Sequence, residues 1–139
     1  MTRKVNFNGY LLKVSPMMLI WGTMIHEYGH LMALRLFGGH GYIKSEALNL
    51  TWMTNGLTGL PLTVFYMAGG LTQALYGCYN MISESDDETW LSGFSVTCQG
   101  LTYMWFEEPR LFALGALLSV CFTALAIIYL NVLEIIEFD

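Results

Sequence analysis

Residues 111–133 read LFALGALLSVCFTALAIIYLNVL, a run that contains no Asp, Glu, Lys or Arg. A second run without these four residue types extends from Ala47 to Ser83. Both runs exceed the about 20 apolar residues that a bilayer-spanning helix needs. Hydrophobic residues make up 55% of the chain and charged residues 12%, and the mean hydropathy is +0.48. These features predict an all-α integral membrane protein, multi-pass and embedded in a lipid bilayer, whose residues 1–139 form a single membrane domain.

About four transmembrane helices are expected, at residues 15–37, 60–82, 89–106 and 109–135. Ser15 is a candidate N-cap for the first of them, with Pro16 as its first helical residue and Gly38-Gly39 as its end. Between the first two helices, residues 42–54 are rich in β-prone side chains and are followed by the turn dipeptide Asn55-Gly56. This stretch predicts a short β-like insertion after the first helix.

The distribution of charge excludes one class of partner. The net charge is −5, from 6 basic and 11 acidic residues, so the chain lacks the basic footprint of a nucleic-acid-binding protein. The acidic run Glu84, Asp86, Asp87 and Glu88 is typical of a solvated loop, and a cation site is the alternative. Two polar residues of the second helix, Gln73 and Asn80, are seven positions apart and so share a face. They are expected to point inward and hydrogen-bond another helix, with a substrate clamp as the alternative.

The motif that suggests chemistry is His26-Glu27-Tyr28-Gly29-His30, an H-E-x-x-H sequence in the middle of the first helix. Residues four apart lie on one helix face, so His26 and His30 can direct two imidazoles at one zinc ion. Glu27 lies about 100° further around the helix. From there its carboxylate can take a proton from an attacking water and pass it to the leaving amine. Two other interpretations are a buried polar network that joins helices and haem ligation by one histidine.

Residues 24–39, MIHEYGHLMALRLFGG, resemble the first core helix of the site-2 protease family of intramembrane zinc metalloproteases. The stretch Ala68-Gly69-Gly70-Leu71 is similar to the small-residue start of that family's next core helix. The resemblance implies a bound zinc ion, with His26 and His30 as ligands and Glu27 as the catalytic residue. It also implies a membrane protein or peptide as the substrate.

The resemblance implies a third zinc ligand as well, which in the family is the aspartate of an Asp-Gly pair. This sequence has no Asp-Gly pair, and Gln99-Gly100 is its nearest counterpart. The candidates for the third ligand are Gln99, Glu107, Asp86, Asp87 and His40, and their spacing does not choose among them. A histidine just after a helix end, such as His40, is more often exposed to solvent.

Two functions therefore follow from the sequence. The first is a zinc-dependent intramembrane metalloprotease that hydrolyses peptide bonds of membrane substrates. The alternative is a non-catalytic, metalloprotease-like small subunit of a larger membrane protein complex, with other membrane subunits as partners. A transporter or channel is disfavoured, because the ionisable residues within the predicted helices are concentrated in the first one.

Overall fold

A computed structural model of the chain describes residues 2–41, 45–46, 49–50, 57–83, 86–106 and 112–139. The helices are α1 (Phe7–Pro16), a π-helical segment (Met17–Gly22), α2 (Thr23–Leu36), α3 (Leu60–Ser83), α4 (Asp87–Phe106) and α5 (Phe112–Val132). The strands are β1 (Arg3–Val5), β2 (Ser45–Glu46), β3 (Asn49–Leu50) and β4 (Ile136–Phe138). Because α1, the π-helical segment and α2 follow one another without a break, the described chain contains four helical rods.

The first rod begins earlier than the sequence predicts. Asn6 is its N-cap, and the Asn6 side chain accepts a hydrogen bond of 2.9 Å from the backbone N–H of Gly9. The predicted start at Ser15 and Pro16 is therefore wrong, since Pro16 is the last residue of α1. The predicted end is confirmed, because Gly38 has a φ of 74° and follows α2 directly after Phe37.

The π-helical segment separates two faces of the first rod. Proline has no N–H to donate within a helix, and a wider turn follows Pro16 from Met17 to Gly22. On one side of this segment α1 packs against α4, and on the other side α2 packs against α3. The Tyr10 and Ser95 hydroxyls join α1 to α4 with a buried hydrogen bond of 3.0 Å. The wider turn therefore changes which neighbour the rod contacts, and it directs the motif helix α2 at α3.

The first and last strands close the molecule around its main core. β1 pairs with β4 in parallel, with Arg3 opposite Ile136 and Val5 opposite Phe138. Val5 and Ile136 are buried with three residues of α1 and α4, namely Tyr10, Val14 and Leu91. The strands therefore cover one end of the α1–α4 contact, and apolar burial holds them there.

The acidic run begins α4 and binds the first rod. Asp86 accepts a hydrogen bond of 2.9 Å from the Thr89 N–H, as an N-cap does, and also pairs with Lys13 of α1. Asp87 pairs with Arg3 of β1 at 2.6 Å. The prediction of a loop is therefore wrong for Asp87 and Glu88, which begin α4. The side chains of Asp86 and Asp87 are partly exposed, as predicted, but they also link the start of α4 to α1 and β1. Glu84 lies outside the described residues.

We expect Asp86→Ala to lower the free energy of unfolding by about 1 kcal/mol, the usual value of an N-cap. Asp86→Asn is the matched control, since asparagine keeps the cap but loses the charge. Burial raises the pKa of Asp86, but the hydrogen bonds from Lys13 and Thr89 have the larger opposite effect and bring the pKa down to about 2. The ionised carboxylate therefore stabilises the fold above about pH 4, and this contribution disappears between about pH 4 and pH 2.

Urea unfolding at a series of pH values measures both effects. The difference between the wild type and Asp86→Asn should shrink as the pH falls from 4 to 2. A difference that is the same at pH 7 and pH 2 would contradict the role of the charge. An Asp86→Ala variant as stable as Asp86→Asn would contradict the role of the cap.

The predicted β-like insertion is confirmed in part. β2 and β3 pair antiparallel, with Ser45 opposite Leu50 and Glu46 opposite Asn49. The other residues of the predicted insertion, including the Asn55-Gly56 turn, lie outside the described residues.

The predicted membrane fold is contradicted, although the predicted helices are present. Within the described parts of the chain, no helix combines the length and the hydropathy that crossing a bilayer requires. The multi-pass integral membrane assignment of residues 1–139 is therefore corrected. One physical reason is that a charge-free run is not the same as an apolar helix. The run from Ala47 to Ser83 begins well before α3, and α3 itself contains threonine, glutamine, asparagine and several glycines.

Glycines set the distance between α3 and α4. A Cβ placed on Gly70 would lie 2.5 Å from the Gly100 carbonyl oxygen, and one on Gly77 would lie 2.5 Å from the Gly93 carbonyl oxygen. Each helix thus carries two glycines seven residues apart, on the face that meets the other helix. Because these positions lack side chains, the two backbones lie in direct contact, and this contact fixes α3 and α4 relative to each other.

Candidate metal centre

The two histidines of the motif lie together inside the protein. His26 and His30 are both buried on α2. Their Nε2 atoms are 3.1 Å apart, and their rings are nearly perpendicular, at 77°. The i, i+4 spacing predicts this pairing, because it places one imidazole above the other on a helix face. The structure therefore brings His26 and His30 together as their spacing predicts, and their role as metal ligands stays a prediction.

The neighbouring helix α3 holds the other nitrogen of each ring. The Nδ1 atom of His30 donates to the Phe65 carbonyl oxygen at 2.7 Å. The Nδ1 atom of His26 donates to Oε1 of Gln73 at 3.1 Å. With the proton on Nδ1, the lone pair of each ring lies on Nε2, the form in which histidine binds metals. The two hydrogen bonds therefore orient both rings for a common cation.

Gly69 of α3 keeps a space beside the two Nε2 atoms. A Cβ on Gly69 would lie 2.7 Å from Nε2 of His26 and closer still to Nε2 of His30. Every residue other than glycine would place a carbon atom in this space. The two nitrogen donors thus suit a zinc ion, and Gly69 lets the α3 backbone approach them without a side chain that would displace the rings.

Gln99 joins the site, but through Gln73. The Nε2 amide nitrogen of Gln73 donates to Oε1 of Gln99 at 2.5 Å. The resemblance makes Gln99 the counterpart of a metal ligand, whereas here its oxygen accepts from another side chain. The predicted inward orientation of Gln73 is confirmed. Asn80 instead donates to the Tyr76 carbonyl oxygen of its own helix, at 2.8 Å.

The other candidate third ligands do not lie at the histidine pair where they are described. Asp86 precedes Gln99 by thirteen positions, which is about 20 Å along α4, and it pairs with Lys13. Asp87 pairs with Arg3. His40 is exposed beyond the end of α2, in agreement with the expectation for a histidine after a helix end. Glu107 lies outside the described residues. Among those residues, no group of three His, Cys, Asp or Glu side chains could hold a metal.

Two further side chains belong to the surroundings of the pair. Glu27 follows His26 on α2, and its Oε2 atom is buried. The Tyr103 ring of α4 meets the His26 ring edge to face, with centroids 5.1 Å apart. The site is therefore a low-dielectric one that contains one carboxylate close to the histidines in sequence.

Sequence reasoning missed the contributions of Phe65 and Tyr103. The Phe65 contribution is a backbone carbonyl, which no side-chain pattern signals. The contact of Tyr103 with His26 depends on how α2 and α4 lie relative to each other, which the sequence does not indicate. The steric role of Gly69 had a signal, the Gly69-Gly70 pair within an apolar helix. The chain matches no known family model, no curated protein and no solved structure.

Proposed function

We propose that this chain is a zinc-dependent, metallopeptidase-like protein with His26 and His30 as metal ligands and Glu27 as general base and acid. One observation carries the proposal. The two Nε2 atoms converge to 3.1 Å while oxygen acceptors hold both Nδ1 atoms. Two nitrogens bound to one tetrahedral zinc ion are about 3.3 Å apart. The observed separation is close to this value, so a small ring adjustment suffices for ligation.

The chemistry divides between the metal and the chain. When bound, zinc would polarise a water molecule and a peptide carbonyl, and so make water a nucleophile at neutral pH. His26 and His30 keep a fixed orientation, because α3 holds their Nδ1 atoms. The Glu27 carboxylate accepts the proton of the attacking water and delivers it to the leaving amine. The substrate is a peptide in an extended segment, since helical backbone hides its carbonyls in hydrogen bonds.

The second candidate is a non-catalytic, metalloprotease-like subunit of a larger protein complex. The position of Gln99 favours this second candidate, because the Gln99 amide oxygen already accepts a hydrogen bond from Gln73 instead of facing a metal. An amide oxygen is also a weaker zinc ligand than a carboxylate. In this role the histidine pair stabilises the α2–α3 contact, with or without zinc, and the partner of the chain is another protein.

Elemental analysis of the purified full chain, after zinc reconstitution, tests the proposal. We expect about one zinc ion per chain, lost in a His26→Ala/His30→Ala double variant and retained in His40→Ala, the matched control. In the same preparations Glu27→Gln should keep zinc but cleave a fluorogenic peptide library at least about 100-fold more slowly than the wild type. A wild type without zinc would overturn the proposal. A zinc-loaded wild type that cleaves no peptide would support the non-catalytic candidate.

A further inference from the structure

A chain of hydrogen bonds crosses three helices at the histidine pair. It starts at Gln99 on α4, passes through Gln73 on α3 and reaches His26 on α2. From Nε2 of His26 it continues to Nε2 of His30, and it ends at the carbonyl oxygen of Phe65. Each member both contacts the next and limits which of its own atoms can donate, so the protons of the chain are ordered together.

One end of this chain has a fixed direction. A carbonyl oxygen only accepts, so Nδ1 of His30 carries its proton and Nε2 of His30 carries the lone pair. At the other end, Gln73 donates to Gln99 and therefore turns its own oxygen toward His26. His26 then also has its proton on Nδ1. As a result, the lone pairs of the two Nε2 atoms face each other 3.1 Å apart, an arrangement that a bound cation stabilises.

The hydrogen bonds at the Gln99 end can also run in the opposite direction. The oxygen and nitrogen of a glutamine amide are similar in size, so each amide can turn by 180° in the same space. Gln99 then donates to Gln73, Gln73 donates to Nδ1 of His26, and the His26 proton moves to Nε2. There it donates to Nε2 of His30 across the same 3.1 Å. This reversed chain satisfies the same atoms without any metal.

We infer that Gln99 and Gln73 form a two-state switch whose direction selects the tautomer of His26 and so sets the metal affinity of the histidine pair. This inference rests on the proposed zinc site and adds its regulation. Gln99 is a positioning residue that acts through Gln73, and the amide direction in the structure is the metal-competent one. When some protein molecules are in the reversed state, the apparent zinc affinity falls in proportion to the fraction of molecules that remains metal-competent.

Two substitutions of Gln99 push the switch in opposite directions. In Gln99→Glu the carboxylate, ionised at pH 8, only accepts, which keeps the Gln73 nitrogen toward α4 and the His26 proton on Nδ1. In Gln99→Met this acceptor is gone, and the Gln73 amide turns to donate to the His26 ring nitrogen that it already contacts. The His26 proton then lies on Nε2. Thr102→Val is the control on α4, since the Thr102 hydroxyl donates to the Cys98 carbonyl oxygen of its own helix.

The tautomers can be observed directly by NMR of the full chain labelled with 15N-histidine. Without zinc, we expect the His26 proton on Nδ1 in Gln99→Glu and on Nε2 in Gln99→Met, with the His30 proton on Nδ1 in both. Zinc should bind Gln99→Met about 10- to 100-fold more weakly than the wild type, the usual effect of losing a group that orients a ligand. Thr102→Val should match the wild type in both measurements.

The outcomes separate this inference from the proposed function. The same His26 tautomer in both Gln99 variants, with the His30 signals intact as a check on folding, would overturn the switch. Opposite tautomers in a protein that binds no zinc would support the switch and overturn the zinc site. Zinc binding with equal affinity in Gln99→Met and the wild type would also overturn the switch, and it would leave the zinc site standing.

Discussion

Replacing Gly69 with alanine is expected to weaken zinc binding strongly although both histidines remain in the chain. The new methyl carbon would lie 2.7 Å from Nε2 of His26 and closer still to Nε2 of His30. Unbonded atoms do not approach this closely, so either the rings rotate or α3 moves away from α2. Rotation breaks the Nδ1 hydrogen bonds to Gln73 and Phe65, and movement of α3 breaks them as well. In both cases the nitrogens lose the common orientation that a metal needs.

We expect the zinc affinity of Gly69→Ala to fall by more than about 100-fold, at least as much as on losing an orienting partner. Competition with a zinc chelator measures this affinity. Gly9→Ala is the matched control, because the nearest atom to its new methyl carbon is Cγ of the flexible Glu88 side chain, at 3.2 Å. Wild-type affinity in Gly69→Ala would show that the metal, if bound, lies elsewhere.

The second large effect is expected for Gly77→Ala, which should lower the free energy of unfolding by about 3 kcal/mol, the upper part of the usual range for overpacking. The methyl carbon would lie 2.5 Å from the Gly93 carbonyl oxygen and 2.5 Å from the Thr97 backbone nitrogen. Backbone atoms within a helix cannot turn aside as a side chain can. The helices α3 and α4 must therefore separate, and the cost exceeds the gain of up to about 1 kcal/mol that alanine offers over glycine in a helix.

Urea unfolding with circular dichroism detection measures this loss. Leu75→Ala is the control, since Leu75 lies two residues away on α3 and is exposed. Gly93→Ala alone should also destabilise, because its methyl carbon meets the Gly77 carbonyl oxygen at 2.7 Å. The double variant should cost less than the sum, as helices separated by one methyl group already have room for the other. A Gly77→Ala variant more stable than the wild type would refute the close contact.

The sequence predicted the helices well because their limits are local. The predicted range 60–82 corresponds to α3 at Leu60–Ser83, and 89–106 corresponds to α4 at Asp87–Phe106. The Gly38-Gly39 end of α2 is a backbone effect of two adjacent residues and could be predicted in the same way. The start of the first rod was missed, because Pro16 is typical of a first helical turn. Here the chain instead continues through Pro16 into a π-helical segment.

Features that depend on neighbouring elements could not be predicted in this way. The pairing of His26 with His30 follows from helical spacing, but the acceptors on α3 depend on how two helices meet. The role of Gln99 depends on a third helix, and a family counterpart suggested a ligand where the fold provides a hydrogen-bond acceptor for Gln73. For α3, the membrane prediction was wrong because counting charges ignores the threonine, glutamine and glycine residues that lower the hydropathy of this helix.

The parallel pairing of β1 with β4 determines how the protein resists a pulling force. β1 follows the start of the described chain and β4 precedes its end, so tension between the two ends acts along the strands in opposite directions. The hydrogen bonds that join them, including Arg3 N–H to the Ile135 carbonyl and Asp139 N–H to the Val5 carbonyl, are then loaded together in shear. They must break at once, whereas a hairpin peels open bond by bond. The helices that hold the histidine pair therefore carry no load until this short sheet has ruptured.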